Sequence, residues 1–167
     1  MYAQVDELIG SEAQAAREAM IAALGFDPVM TPAFWEAWVA QHVGGCTTPH
    51  KAPHDVEAIG LRQFRFEVKF SRAFQCAYTS GPRRVFKWAL TKPQVAAIRQ
   101  PDAVVLIGVD GDKVWTWACP GGVCSTSMTV VTPDTRRGGR RGARMDAMMA
   151  PPHDLLPAIL RAAKQED

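Results

Sequence analysis

Apolar and polar residues alternate strictly between positions 64 and 71 of this chain. The apolar positions are Phe64, Phe66, Val68 and Phe70, and the polar positions between them are Arg65, Glu67, Lys69 and Ser71. Because successive side chains of a strand point to opposite faces, this period of two predicts a half-buried strand with one apolar face. The polar face is unusual, since it places an acid and a base side by side.

A shorter strand is predicted from Asp55 to Ile59, and Gly60 marks the turn that joins it to the alternating strand. A loop of three residues, Gly60–Arg62, places Asp55 opposite Glu67 on the polar face. A loop with an even number of residues would turn Asp55 toward the apolar face, where a charge is costly to bury. We therefore expect the odd register.

The odd register brings four charged side chains onto one face of the hairpin, namely Asp55, Glu57, Glu67 and Lys69. Directly opposed residues of antiparallel strands have Cβ atoms about 4.5–5.5 Å apart, and like charges at that spacing repel. Two opposed carboxylates beside a lysine therefore indicate a bound cation that removes the repulsion.

This hairpin resembles the motif of the PD-(D/E)xK nuclease superfamily, which has the restriction-endonuclease-like fold. It carries Asp55, eleven further residues and then Glu67-Val68-Lys69 on the next strand. The resemblance covers residues 32 to 120, in which a helix, the hairpin and further helical and extended segments follow one another. The chain departs from the family's Pro-Asp at one position, where it reads Pro53-His54-Asp55.

The resemblance implies an α/β fold with a restriction-endonuclease-like core, in which a central mixed β-sheet is flanked by helices. It implies a metal-dependent endonuclease that hydrolyses the phosphodiester bonds of DNA with Mg²⁺ or Mn²⁺. In this family Asp55 and Glu67 would hold the metal ion, with the Val68 carbonyl as a further ligand. Lys69 would orient the attacking water or stabilise the phosphorane, so the implied catalytic residues are Asp55, Glu67 and Lys69.

Four other residues are weaker candidates for the same site. Glu57 and Glu36 are second-rank acids for the metal ion. Glu36 lies in the first turn of a predicted helix, where the helix dipole also favours an acid, so both interpretations stay open. Arg65 and Ser71 share the face of Glu67 and would position a substrate phosphate.

Two helices are predicted before the hairpin. Residues 1–25 show apolar positions at helical spacing, with an interruption near Gly10-Ser11 and an end at Gly25. The second helix begins with Thr31 as N-cap and Pro32 in the first turn, and Gly44-Gly45 ends it.

The elements after the hairpin are less uniform. Residues 83–90 are ambiguous between strand and helix, and 92–100 predict a helix. The apolar run 102–109 is typical of a central strand covered on both faces, and Asp110-Gly111 predicts a tight turn into a strand at 113–118. We divide the chain into an N-terminal helical extension (1–30), a nuclease-like core (31–125), and an Arg/Gly-rich loop with a C-terminal helix (126–167).

The segment from Thr135 to Arg144 holds five arginines among glycines: Arg136, Arg137, Arg140, Arg141 and Arg144. Guanidinium groups on a flexible backbone suit phosphate binding, so we interpret the segment as a DNA contact. A solvated basic loop is the alternative. The C-terminal helix is either core or an oligomer contact, which leaves a homodimer open.

A zinc site is a further alternative, because His42, Cys46, His50 and His54 recur every four residues. Gly44-Gly45 and Pro49 disfavour the continuous helix that would bring them together, so a loop is the better interpretation. Cys119 and Cys124 flank a Pro-Gly-Gly turn, and without a second convincing pair we interpret them as free thiols.

Composition narrows the classes of function. The chain of 167 residues is 47% hydrophobic and 22% charged, as in a folded globular protein, and its net charge is +2. The N-terminus lacks the features of a secretory signal, and the longest apolar run is too short to span a bilayer. Together with four cysteines this predicts a cytoplasmic protein with reduced thiols and no membrane partner.

Three functions therefore remain in view. The first is the Mg²⁺-dependent deoxyribonuclease. The second is a non-catalytic DNA-binding or assembly protein on a degenerate nuclease fold. The opposed like charges on one face argue against this second function. The third is a zinc-stabilised interaction module.

Overall fold

The computed structural model describes residues 2–49, 52, 54–59, 63–91, 101–135 and 143–164. Several predictions fall outside these ranges. They are the turn at Gly60, the helix at 92–100, the ligand candidate His50, and four of the five arginines, Arg136, Arg137, Arg140 and Arg141.

Four α-helices lie within these ranges: Val5–Leu24 (α1), Pro32–Val43 (α2), Ala143–Met148 (α3) and Leu155–Lys164 (α4). The predicted ends of α2 are confirmed, because the Thr31 hydroxyl accepts a hydrogen bond from the Phe34 N–H at 3.3 Å and Gly44 is left-handed with φ 63°. The predicted interruption of α1 is also confirmed at Gly10, whose φ of 76° is not helical.

Ten strands in the described ranges form two sheets. Their bounds are Ala3–Gln4 (β1), Cys46–Thr47 (β2), Val56–Ile59 (β3), Gln63–Arg72 (β4), Phe74–Cys76 (β5), Arg83–Ala89 (β6), Ala103–Asp110 (β7), Lys113–Pro120 (β8), Ser127–Val131 (β9) and Met149–Ala150 (β10). The larger sheet has the order β1-β8-β7-β4-β3-β2, with β10 also paired to β8, and the smaller sheet has the order β5-β6-β9.

The larger sheet is mixed, because β4 and β7 are parallel while its other pairs are antiparallel. The prediction of β7 as a central strand is confirmed, since seven of its eight residues are buried. The predicted turn at Asp110-Gly111 is confirmed by the pairing of Asp110 with Lys113. The sheet with its helices is an α/β fold, as expected.

The two faces of the larger sheet have different covers. On one face the apolar side of β4, including Phe66 and Val68, packs with buried residues of α2 and α4. On the other face, Val104 and Leu106 of β7 pack with Phe86 of the smaller sheet. The larger sheet is therefore buried on both sides, by helices on one and by a second sheet on the other.

Gly108 permits the close approach of the smaller sheet to β7. A Cβ atom at this position would lie 2.8 Å from carbon atoms of the Phe86 ring, which is closer than packed atoms tolerate. The glycine therefore lets an aromatic ring lie directly on the β7 backbone, a role that glycine has in strands.

The three segments defined from the sequence share one core. Val5 and Val29 from the first 30 residues are buried in the same cluster as Phe66, and so are Leu155 and Ile159 from the C-terminal segment. Strand β1 pairs with β8, and so does β10. No helix in the described part of the chain is long and apolar enough to cross a membrane.

Candidate functional site

The β3–β4 hairpin has the odd register that the sequence predicts. Its paired residues include Val56 with Phe66 and Ile59 with Gln63, so three residues connect the strands. Continued by one position, the same register places Asp55 opposite Glu67. Strand β3 begins at Val56, one residue later than predicted, and Asp55 lies directly before it.

Backbone contacts hold Asp55 in place beside β4. Its N–H donates to the Phe66 carbonyl at 3.1 Å, and its carbonyl accepts from the Thr48 N–H at 2.9 Å. The carboxylate oxygen Oδ2 accepts a hydrogen bond from the Val68 N–H at 2.9 Å. The Asp55 carboxylate is therefore fixed against the backbone of the triplet that carries Glu67 and Lys69.

Lys69 lies between the two acids. Its Nζ atom forms an ion pair with Glu67 Oε1 and lies 3.8 Å from Asp55 Oδ2. The side chains of Lys69 and Asp55 are each about a quarter exposed, whereas that of Glu67 is 1% exposed. The cluster thus has one buried acid, and a second acid and an amine that solvent reaches.

The burial of Glu67 was not predicted. The alternating sequence of β4 indicates one buried and one solvated face. Glu67 and Ser71 lie on the polar face, yet both are buried. The polar face of β4 continues into the apolar face of β7, because Glu67 pairs with Val104 and Lys69 with Leu106. The smaller sheet covers that side. The prediction that β4 is buried on one face only is therefore wrong.

Burial has a direct electrostatic consequence for Glu67. Removal from water disfavours the charged carboxylate and raises the pKa of Glu67 from 4.5 to about 7. The negative charge of Asp55 acts in the same direction, while the hydrogen bond and charge of Lys69 oppose the shift. The Glu67 carboxyl therefore exchanges its proton near neutral pH, and a cation beside it would favour the ionised form.

The two second-rank acids have different surroundings. Glu57 Oε1 is 2.5 Å from Nε2 of the buried His54, and Glu57 pairs with Arg65 across the hairpin. Glu36 lies on α2, a helix that packs against the face of β4 opposite to Glu67. The structure thus brings Asp55, Glu67 and Lys69 together, and it places Glu36 on the other side of the sheet.

Arg65 contacts Asp102, the residue directly before β7. Its Nε atom lies 3.6 Å from Asp102 Oδ2, and its backbone N–H donates to the same oxygen at 2.7 Å. The Asp102 N–H donates in turn to the Arg65 carbonyl at 2.9 Å. These hydrogen bonds of Asp102 connect the start of β7 to β4. The half-exposed guanidinium of Arg65 lies beside them.

Ser71 connects the two sheets. Its hydroxyl donates to the Arg72 carbonyl at 3.2 Å and accepts a hydrogen bond from the Lys87 N–H of β6 at 3.0 Å. This contact brings the exposed residue Lys87 close to the end of the polar face. Sequence reasoning missed Lys87 because its segment was ambiguous between strand and helix.

Arg144 is the member of the arginine segment that the structure describes. It lies on α3 and lines a cavity with Cys119 and Cys124, beside the smaller sheet. Its predicted role in DNA binding stays a prediction.

The carboxylates of Asp55 and Glu67 suit Mg²⁺, which prefers oxygen ligands and is usually held by one or two carboxylates together with substrate phosphates and water. Among the described residues no group of three or more His, Cys, Asp or Glu side chains is arranged to hold a metal ion. That search includes His42, Cys46 and His54, the described members of the suggested zinc set.

Comparison of the chain with protein-family models, with curated proteins and with solved structures gave no match.

Proposed function

We propose that this protein is a Mg²⁺-dependent endonuclease that hydrolyses phosphodiester bonds of DNA. The observation that carries the proposal is the convergence of Asp55, Glu67 and Lys69, with the lysine in an ion pair with one acid and 3.8 Å from the other. A carboxylate pair with an adjacent amine suits phosphodiester hydrolysis, which needs negative charge to be stabilised and a water molecule to be deprotonated.

The arrangement of the elements supports the finer assignment to a restriction-endonuclease-like core. Within residues 32–120, α2 precedes the β3–β4 hairpin, and β7 lies parallel to β4 in a mixed sheet flanked by helices. The motif resembling PD-(D/E)xK thus occurs on adjacent strands with the register that such a site requires.

Each residue of the cluster has a separate task in the proposed reaction. Asp55 and Glu67 would hold the Mg²⁺ ion, with the Val68 carbonyl as a further ligand. When bound there, the ion supplies Lewis acidity and lowers the pKa of coordinated water. Lys69 carries three N–H donors on a partly exposed side chain, so it orients the attacking water or stabilises the charge that develops on the phosphate.

The environment of Glu67 couples cation binding to the ionisation of its carboxyl group. Because its pKa is raised to about 7, the buried carboxyl is partly protonated at neutral pH. An ion that binds the carboxylate form releases this proton, so Mg²⁺ binding is coupled to pH. Lys69 would keep its contact with Asp55 if Glu67 held the ion, since its Nζ atom lies 3.8 Å from Asp55 Oδ2.

The test is incubation of the protein with supercoiled DNA, linear DNA and RNA in the presence of Mg²⁺ or Mn²⁺. We expect DNA cleavage, with Ca²⁺ supporting binding but little turnover. Glu67→Ala and Lys69→Ala should each lower the cleavage rate by on the order of 10²-fold or more, because the first removes a proposed metal ligand and the second removes the group proposed to position the attacking water. Glu18→Gln, on the exposed side of α1, is the matched control and should cleave like the wild type.

Full activity of both alanine variants would contradict the assignment. DNA binding without cleavage in any of these conditions would instead favour the non-catalytic DNA-binding protein.

A further inference from the structure

Five sulfur-bearing side chains line one cavity of about 210 Å³ beside the smaller sheet. They are Cys119, Cys124, Met128, Met145 and Met148. The cavity lies on the same side of the larger sheet as Glu67, because Val104 pairs with Glu67 of β4 and with Cys119 of β8. The proposed nuclease function does not use it. Sulfur-bearing residues from four separate segments therefore line one cavity.

A tight turn brings the two thiols together. Cys119 is the second-last residue of β8. The 3-10 turn Gly121–Val123 then folds the chain back, so that the Cys124 N–H donates to the Gly121 carbonyl at 3.2 Å. The Cys124 thiol also donates to the Pro120 carbonyl at 3.6 Å. Both cysteines are buried and neither forms a disulfide within the described residues.

The neighbouring Cys124 thiol and burial both raise the pKa of the Cys119 thiol. A hydrogen bond with Cys124 is the largest cause that raises the pKa of Cys119 well above its usual range, and burial is the next. The positive charge of Arg144, which lines the same cavity, acts in the opposite direction. The two thiols are thus in contact and close to a guanidinium.

The methionines complete a soft donor set. Met145 and Met148 are three residues apart on α3, so they share one face of that helix. Met128 reaches the cavity from β9. Thioether sulfur is a ligand for soft ions and a poor one for Mg²⁺ or Ca²⁺, which prefer oxygen.

We propose that this cavity binds one Cu(I) ion through the thiolates of Cys119 and Cys124, with a methionine thioether as a further ligand. Soft thiolate and thioether sulfur favours Cu(I), which accepts a low coordination number. Binding converts two thiols and one Cu(I) ion into a bis-thiolate complex of charge −1 and releases two protons. Arg144, which lines the cavity, compensates that negative charge.

The test uses a Cys46→Ser/Cys76→Ser background, in which the remaining thiols of the chain are those of Cys119 and Cys124. Anaerobic titration with Cu(I) in competition with the chromophoric chelator bicinchoninate should give one tightly bound ion per chain. Cys124→Ser in that background should weaken binding by on the order of 10²-fold or more, since even residues behind a metal ligand change affinity by about 10–100-fold. Circular dichroism and the melting temperature report whether the variant is folded.

Two further measurements do not depend on replacing a cysteine. X-ray absorption of the Cu(I)-loaded background protein should show a first shell of sulfur alone, and an equal concentration of Zn²⁺ should not displace the copper. Met145→Leu/Met148→Leu should weaken Cu(I) binding by about tenfold. Met149→Leu is the matched control, because Met149 packs on the same core and does not line the cavity.

Nitrogen or oxygen donors in the first shell, displacement by Zn²⁺, or Cu(I) binding that survives Cys124→Ser in a folded protein would each overturn the site. Unchanged affinity in Met145→Leu/Met148→Leu would overturn the thioether ligand. An absence of tight binding in the background protein would show that the five sulfur side chains serve core packing alone.

Discussion

Glu67 is the residue at which burial and charge conflict most strongly. A carboxylate without solvent is costly, and Lys69 supplies the opposite charge that offsets part of that cost. Asp55 adds a second negative charge on the same side, which makes the conflict worse. A chain selected only for stability would gain from an apolar residue here, so the arrangement favours a functional role for the acid.

The raised pKa of Glu67 predicts a pH-dependent stability. The folded protein holds this proton up to about pH 7, whereas the unfolded chain loses it near pH 4.5. The folded state therefore binds more protons between these values, and the free energy of unfolding should fall as pH rises from 4.5 to 7. A shift of this size corresponds to about 3 kcal/mol at most.

Urea unfolding in chelator at pH 5 and pH 8 measures this loss for the wild type. Glu67→Gln keeps the shape and removes the titrating group, so its difference between the two pH values should shrink by most of that amount. Glu18→Gln serves as the control. An equal pH dependence in Glu67→Gln and the wild type would show that another group titrates.

At the scale of elements, the register of the β3–β4 hairpin decides which acids lie together. If Asp55 and Glu67 hold an ion, saturating Mg²⁺ should raise the melting temperature relative to chelator at matched ionic strength. Binding to the native state stabilises it by about 2.7 kcal/mol when the free ion is at roughly a hundred times Kd. Asp55→Asn and Glu67→Gln should lose most of this response, and both should melt higher than the wild type in chelator because one negative charge is gone.

Glu57→Gln is the informative comparison, because Glu57 lies two residues from Asp55 but contacts His54. It should keep most of the Mg²⁺ response. The reverse result, with Glu57→Gln losing the response and Asp55→Asn keeping it, would make Glu57 the ligand.

The contact between the smaller sheet and β7 gives a prediction of its own. Gly108→Ala adds a methyl group 2.8 Å from the Phe86 ring, so it should destabilise the protein by about 1–3 kcal/mol, as overpacking does. Phe86→Leu in the same chain should recover part of this loss, and a double-mutant cycle by chemical denaturation measures it. Additive effects of the two changes would show that the ring is not the obstacle.

Local sequence signals predicted the hairpin well. The alternation in β4, a three-residue loop and the cost of burying Asp55 were enough to place Asp55 opposite Glu67. Thr31, Pro32 and Gly44 marked the ends of α2 in the same way. These features depend on residues close in the chain, where steric and capping preferences act directly.

The cover over Glu67 could not be predicted in this way. It consists of β6, whose residues were ambiguous between strand and helix, paired with β9, which begins only at Ser127. Alternation tells which residues share a face and carries no information on what packs against that face. The raised pKa of Glu67 and the contact of Ser71 with Lys87 depend on this non-local pairing and so were missed.

At the scale of the whole molecule, the two sides of the larger sheet have separate roles. One side holds α2 and α4 on an apolar surface and provides much of the core. The other carries the polar face of β4, the smaller sheet and the sulfur-lined cavity. The groups with distinctive chemistry therefore lie on the side that the smaller sheet covers.

The net charge of +2 is too small to attract DNA by itself, so affinity must come from a local concentration of positive charge. The segment from Thr135 to Arg144 has that concentration, and it leads into α3 beside the smaller sheet. Each arginine that contacts a phosphate releases counterions, so its removal should reduce the slope of log affinity against log salt by roughly 0.9 for duplex DNA.

We therefore expect a flatter salt dependence when all five arginines of this segment are changed to glutamine: Arg136, Arg137, Arg140, Arg141 and Arg144. Fluorescence anisotropy with a labelled duplex, repeated over a range of salt concentrations, measures the slope. A Glu67→Ala background, in which we expect the lowered cleavage rate, protects the probe. Arg161→Gln, an exposed arginine on α4, is the control and should leave the slope unchanged. An unchanged slope in the five-arginine variant would mean that the segment is a solvated basic loop and that DNA, if bound, contacts another surface.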